Sequence, residues 1–162
     1  MSDLPESDAN TLPTITIAAS IDQLARVRAF VRERIAAAGG DAETTSDLVQ
    51  AVDELVCNVV GHGYAGAPGT IEVAFLEMPD AIGFRIRDEA PAFDPTTVPE
   101  PPLDLAIGQR PLGGMGIHLA RALTDEFDHR ILPTGGNEVT VRKRRPTTGE
   151  ASDGHHDRAP EH

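Results

Sequence analysis

The sequence predicts an α+β fold in which helices pack on one face of an antiparallel sheet, and three observations predict it. Apolar residues switch between helical and alternating spacing in the order β-α-α-β-β-loop-α-β-β. Strands that follow one another as hairpins are interrupted by helices, which separates the chain into a sheet layer and a helix layer. The first two helices each carry a single apolar stripe beside polar residues, as helices lying on a sheet require.

Each element has its own signal. Residues 14–18 (TITIA) alternate weakly, as a strand does. Ser20 is expected to cap a helix, with Gln23 completing a capping box and Gly39-Gly40 ending it. Leu24, Val27, Val31, Ile35 and Ala38 recur at helical spacing, whereas Arg26, Arg28, Arg32 and Arg34 mostly point elsewhere and form a basic face. A second helix is expected from about Ser46 to Gly61. With Leu48 set at zero, Val52, Leu55 and Val59 fall within about 40° of it on a helical wheel. Glu54, Asn58 and His62 fall at about 240°, 280° and 320°, a polar column flanking the buried stripe. Gly66-Ala67-Pro68-Gly69 marks a turn, and Thr70–Glu77 and Ile82–Arg87 alternate around Pro79-Asp80 as an antiparallel hairpin. Residues 89–112 hold six of the thirteen prolines and form no regular element, and a loop that long is usually functional or mobile. Gly113-Gly114-Met115-Gly116 opens a helix expected over Ile117 to about Glu126. Strands near Phe127–Leu132 and Glu138–Arg144, joined at Gly135-Gly136-Asn137, close the chain.

With 162 residues, the chain is expected to form one domain. Residues 1–12 and 146–162 are polar and read as disordered tails, leaving 13–145 to fold. The formal net charge of −12 argues against binding nucleic acid or anionic lipid, which needs a basic footprint. The one basic run, Arg142-Lys143-Arg144-Arg145, reads as a solvated strand end. A single cysteine, Cys57, allows no internal disulfide and is read as core. With no membrane-length apolar run and no signal pattern, a soluble protein of the reducing cytoplasm is expected. One Tyr, five Phe and no Trp make no stacking platform for single strands, and His155, His156 and His162 sit in a tail without metal-site spacing.

Three segments carry residue types used in nucleotide chemistry. In the column Glu54-x3-Asn58-x3-His62, Asn58 offers a neutral oxygen suited to Mg²⁺ while Glu54, one turn away, is free to orient a nucleophile or take its proton. Asp88 ends a strand and opens the run Asp88-Glu89-Ala90-Pro91-Ala92-Phe93-Asp94-Pro95, where its carboxylate could accept from an exocyclic amine such as adenine's. In Gly113-Gly114-Met115-Gly116, backbone N–H groups could close around phosphate oxygens at the positive end of a helix.

The order and spacing of these segments resemble the GHKL (Bergerat-fold) ATP-binding family, and within it the anti-sigma regulatory serine/threonine kinases of the RsbW and SpoIIAB type. The resemblance runs from about Ile17 to Lys143 through AVDELVCNVVGHGY, FRIRDEAPAFDP, PLGGMGIHLARALTDEF and GGNEVTVRK. It implies a two-layer sandwich with a mixed, mostly antiparallel sheet. It implies Glu54 as general base, Asn58 as Mg²⁺ ligand and Asp88 as the adenine-amine contact, with His62 and Ala90 in the same nucleotide-binding boxes. Gly113, Gly114, Met115 and Gly116 would line the phosphates of ATP or ADP, with Thr140 beside the base. Residues 93–112 would be the ATP lid, with Arg110 its one basic residue before Gly113. The short stretch ahead of Glu54 is expected to leave no room for the dimerisation and phosphoacceptor helices of a sensor histidine kinase.

The implied activity is phosphorylation of a serine or threonine on a small STAS-type anti-sigma-factor antagonist. The same protein would sequester a sigma factor, with a homodimer as the assembly and Arg26 as a partner contact. Ala90 and Ala92 depart from the family pattern, standing where it has glycine, and a methyl at 90 is expected to crowd the adenine or restrict the loop. The rival readings are a non-catalytic binding module, with ATP structural or absent, and an activator of a phosphatase.

Overall fold

The computed structural model describes residues 11–93 and 114–146. Most of the two expected tails, most of the expected lid including Arg110, and Gly113 lie outside the described residues.

Strand β1 (Thr14–Ala18) leads through a 3-10 turn (Ile21–Gln23) into α1 (Leu24–Ala37), and α2 (Ala42–Asn58) follows. Strands β2 (Thr70–Glu77) and β3 (Ala81–Asp88) form the expected hairpin. Helix α3 (Gly114–Ala122) precedes β4 (Glu126–Ile131) and β5 (Asn137–Arg144). The sheet order is β1-β2-β3-β5-β4, and every pairing among the described strands is antiparallel, so the parallel component of a mixed sheet is not present there.

One core holds the two layers together. Leu24, Val27, Val31 and Ile35 of α1 and Leu48, Val52, Leu55 and Val56 of α2 are buried against Ile71, Val73, Phe75, Ile82, Phe84, Ile86, Val139 and Val141 of the sheet. These are the stripe residues of the helices and the inward parity of the strands, so period 3.6 meets period 2 across one interface. The other sheet face is a lattice of charge. Arg87 pairs with Glu138, Arg142 with Glu126 and Asp128, and Arg85 with Glu72. Burial pushes the Glu138 carboxyl up, but the Arg87 hydrogen bond and the charges of Arg87, Arg130 and Arg85 outweigh it and hold it below its ordinary value.

Several local expectations are corrected. Ser20 makes no side-chain cap bond, because the chain enters α1 through a 3-10 turn closed by Gln23 N–H on Ser20 O, and Gln23 Oε1 accepts from Arg26 instead. Helix α2 starts earlier than Ser46, since Asp41 is extended and its carboxylate accepts from Thr44 N–H at 2.7 Å. The glycines before Ile117 belong to α3 from Gly114, and the helix ends before Glu126 because Asp125 N–H donates to Arg142 O and draws the chain into the sheet. The basic run is not a free solvated end. Lys143 pairs with Asp47, and Arg145 with Glu77 and the Ala38 carbonyl.

The basic face of α1 is likewise partly spent within the fold. Arg28 donates to both oxygens of Asp53 on α2 at 2.9 and 2.8 Å, and Arg34 lies over the Phe30 ring. Arg26 and Arg32 are exposed.

Candidate nucleotide site

Helix α2 supplies one wall of the site. Beyond Asn58 it widens into a π turn, Val59–Gly63, which closes at Tyr64 and reverses through Ala65 and Gly66, both at positive φ. A π turn inserts extra backbone into the helix and shifts every later side chain around its axis. The polar column therefore breaks after Asn58. Gly63, rather than His62, faces the pocket, and His62 is exposed.

The pocket lies between α2 and the sheet. Leu55, Asn58, Val59 and Gly63 meet Ile86 and Asp88 of β3, His129 of β4, Asn137 and Val139 of β5, and Phe93 from the loop after β3. The enclosed space is about 20 Å³. Phe93, 39% exposed, stands at its rim. Apolar walls with a few converging polar groups are the usual make-up of a small-molecule site.

Asp88 is the buried charge of this pocket, 5% exposed. Its Oδ1 accepts from Ala90 N–H and from Asn137 Nδ2, each at 3.0 Å. Burial pushes its carboxyl above the ordinary value, against the pull of Asn137, Ala90 and the nearby His129. A buried carboxylate at the mouth of a cleft with a perturbed pKa marks a functional-site candidate. The positive φ of Gly136 brings the turn before β5 against the Asp88 carbonyl, where a Cβ would overlap the backbone, and so sets Asn137 opposite Asp88 in the ladder.

Glu54, one turn before Asn58, sits between α2 and α3. A Cβ on Gly116 would overlap Glu54 Oε2, so the missing side chain at 116 makes the room the carboxylate occupies. The structure thus brings Asn58 and Asp88 to one pocket and sets Glu54 against the first turns of α3, whose opening residues include Gly114 and Met115. Cys57, on the same helix, is half-buried against the core, and burial with the charges of Asp53 and Glu54 pushes its thiol up.

Besides His62, two expected site residues lie off the pocket lining. Thr140 is on the opposite parity of β5 from Asn137, Val139 and Val141, paired across the sheet with Arg85 and Asp128 rather than lining the pocket. Ala90 is 1% exposed and lies beneath the pocket rather than on its lining. Its methyl faces Gly63, where a Cβ would come within 3.2 Å of it. Among the described non-glycine residues only Ala65 has positive φ, so Ala90 is unstrained. The absence of a side chain at Gly63 supplies the space this methyl occupies.

Residues the sequence reading passed over complete the site. Asn137 and His129 were visible as polar positions on strands, and Tyr64 as the single tyrosine. Tyr64 Oη donates to Thr70 O at 2.7 Å and accepts from Glu89 N–H at 2.8 Å, which pins the chain just after Asp88.

Comparison with known proteins bears on the fold and the family. The model of the histidine kinase-like ATPase domain matches residues 17–143. The serine/threonine-protein kinase BtrW of Bordetella bronchiseptica is 31% identical over 95 residues, 58% of this chain and 66% of BtrW. The crystal structure of the RsbU and RsbW domains of Rv1364c from Mycobacterium tuberculosis superposes with a TM-score of 0.54 at 26% identity, over 83% of this chain and 33% of that one. The chain therefore spans just under two thirds of the first relative and a third of the second. Among the described residues no helix is long and apolar enough to cross a membrane. A sheet-and-helix cleft lined by a buried carboxylate, in a chain matched from 17 to 143, places this protein in the histidine kinase-like ATPase domain family.

Proposed function

We propose that the chain is an ATP-dependent serine/threonine protein kinase that phosphorylates a small STAS-type anti-sigma-factor antagonist and also sequesters a sigma factor, acting in the cytoplasm as a homodimer. The observation that carries this reading is the convergence of Asp88 and Asn58 on one apolar pocket, with Glu54 a helical turn away beside Gly116.

Asp88 would accept from the amino group of an adenine base, while Leu55, Val59, Ile86 and Val139 exclude water from its faces. Asn58 fits a magnesium site, because a single neutral side-chain oxygen suffices for an ion that keeps most of its ligands as water and phosphate. Bound there, Mg²⁺ would neutralise phosphate charge during transfer. Glu54 would take the proton of the incoming serine or threonine hydroxyl. Exposed Arg26 on α1 is offered as the partner contact.

The non-catalytic alternative drew its support from the two alanines after Asp88. Ala90 packs against Gly63 and is not part of the pocket lining, which supports the nucleotide-binding reading over that alternative.

The test is calorimetric binding of ADP with and without Mg²⁺, using wild type and Asn58→Ala. A ligand bound only by the native state also raises the melting temperature. Tight magnesium-dependent binding that loses most of its magnesium dependence in Asn58→Ala supports the reading. A wild-type protein that binds no adenine nucleotide contradicts it.

A further inference from the structure

We propose that Asn137 is a positioning residue for base recognition, holding the Asp88 carboxylate and the turn from Ala90 to Phe93 in one buried clamp. The proposal rests on the nucleotide reading above and deepens it.

Asn137 opens β5 directly opposite Asp88 and is 6% exposed. Its Nδ2 donates to Asp88 Oδ1 at 3.0 Å, to Pro91 O at 3.1 Å and, more weakly, to Ala90 O at 3.4 Å. Its Oδ1 accepts from Phe93 N–H at 2.8 Å. A carboxamide has two N–H donors and one acceptor oxygen, so these contacts engage its donors and its acceptor together. Asn137 therefore acts on a ligand through Asp88 rather than by touching the base.

Two hydrogen bonds, from Asn137 and from Ala90 N–H, fall on the same oxygen, Asp88 Oδ1. They hold Oδ1 of the carboxylate, and the amino group of a base would meet Oδ2, the oxygen neither bond uses. The donor is neutral. A lysine or arginine here would compete with the ligand for the charge, whereas an amide orients the carboxylate and leaves it anionic.

The clamp also suits a turn without glycine between Asp88 and Phe93. The segment after Asp88 carries Ala90 and Ala92, and it is held from outside by Tyr64 Oη on Glu89 N–H and by Asn137 on Ala90, Pro91 and Phe93. Phe93 lines the pocket beside Asp88, so one amide fixes both the recognising carboxylate and the ring at the rim.

The experiment compares ADP with IDP, whose base carries a carbonyl where adenine carries the amine. Dissociation constants are measured for wild type, Asn137→Ala and Asn137→Ser, with melting curves to verify folding. Asn137→Ala is expected to weaken ADP roughly tenfold, the effect of losing one hydrogen bond to a buried charge, and to leave IDP nearly unchanged. The ADP/IDP preference then collapses. Asn137→Ser, which keeps a short hydroxyl donor and tolerates the strand, recovers part of the preference and supplies the result should the alanine variant fail to fold. Equal weakening of both nucleotides in the variants, with the preference intact, overturns the proposal and leaves Asn137 a structural pin. If wild type binds neither nucleotide, the nucleotide reading itself fails; if it binds both equally, Asp88 reads no amine and the clamp has nothing to position.

Discussion

Gly116→Ala should separate the chemistry from the stability of the fold. A methyl at 116 would overlap Glu54 Oε2 and stand 3.4 Å from Glu54 Cδ and 3.5 Å from its Cβ. To restore ordinary contact the carboxylate must retreat by about 1 Å. The atom that yields is the end of a flexible, half-exposed side chain, so Glu54 can rotate while α2 and α3 stay packed. Alanine also favours a helix interior over glycine by about 0.8–1.0 kcal/mol, an upper limit for a position in the first turn. The melting temperature should therefore hold or rise slightly. Catalysis is less tolerant, because a misplacement of about 1 Å can cost on the order of 10²-fold in rate. Three assays are needed: circular-dichroism melting, ADP calorimetry and single-turnover transfer of the γ-phosphate to the antagonist. The expected result is native stability and transfer from bound nucleotide slowed about 100-fold, with the ADP calorimetry separating any loss of binding from the loss of rate. In a Glu54→Gln background the same substitution should slow transfer no further. Wild-type transfer by Gly116→Ala, or rate losses that multiply in the double variant, would refute this placement of the carboxylate.

Acidity should act on Asp88 in two opposite directions. Its folded pKa is raised above 3.8, so its own contribution to folding is full below that ordinary value and is lost as pH rises through the folded pKa. Adenine recognition needs the ionised form, so ADP affinity should be full above the raised pKa and fall as pH drops through it, at a higher pH than an ordinary aspartate would impose. Calorimetry of ADP and IDP from neutral to acid pH tests this, and an ADP/IDP preference that stays constant would contradict it. On α1, Arg26→Glu should weaken antagonist and sigma-factor binding while leaving ADP binding and melting unchanged. Arg28→Glu should instead lower the melting temperature, because it sets a charge against Asp53. Size-exclusion and melting measurements on the two variants distinguish them, and unchanged partner affinity in Arg26→Glu would return that face to solvent.

What could be read in advance followed from periodicity. The strand Thr70–Glu77 and the stripe Leu24, Val27, Val31 and Ile35 declare themselves because each buries one face against a single layer. The candidate pocket was legible where its lining sits on that same periodicity, as with Asn58 beside the Leu55 stripe and Asp88 at a strand end. His62 was misplaced because a π turn leaves no mark in the pattern of side chains, only in the backbone that carries them. Thr140 was misplaced although strand parity argues against it, since Val139 and Val141 take the inward positions and put Asn137 on their face. Other contacts join residues far apart in sequence, such as Arg28 with Asp53 and Lys143 with Asp47. No local pattern encodes such pairs, and only the packing of α1 on α2 and of β5 beside α2 brings them together. The fit of Ala90 against Gly63 is of the same kind, because the space for one residue is created by the absence of a side chain on another.

Transfer of phosphate in this cleft, with Glu54 as the base, is open to a direct test. The direct measurement is single-turnover transfer from γ-labelled ATP with Mg²⁺ to a purified STAS-type antagonist, for wild type and Glu54→Gln. Wild type is expected to leave phosphate on a serine or threonine of the antagonist. Glu54→Gln is expected to lower the rate by about 10²–10⁴ while retaining ATP and antagonist binding. Transfer by Glu54→Gln at the wild-type rate, or a wild-type protein that binds ATP and antagonist yet leaves the antagonist unlabelled, would contradict it.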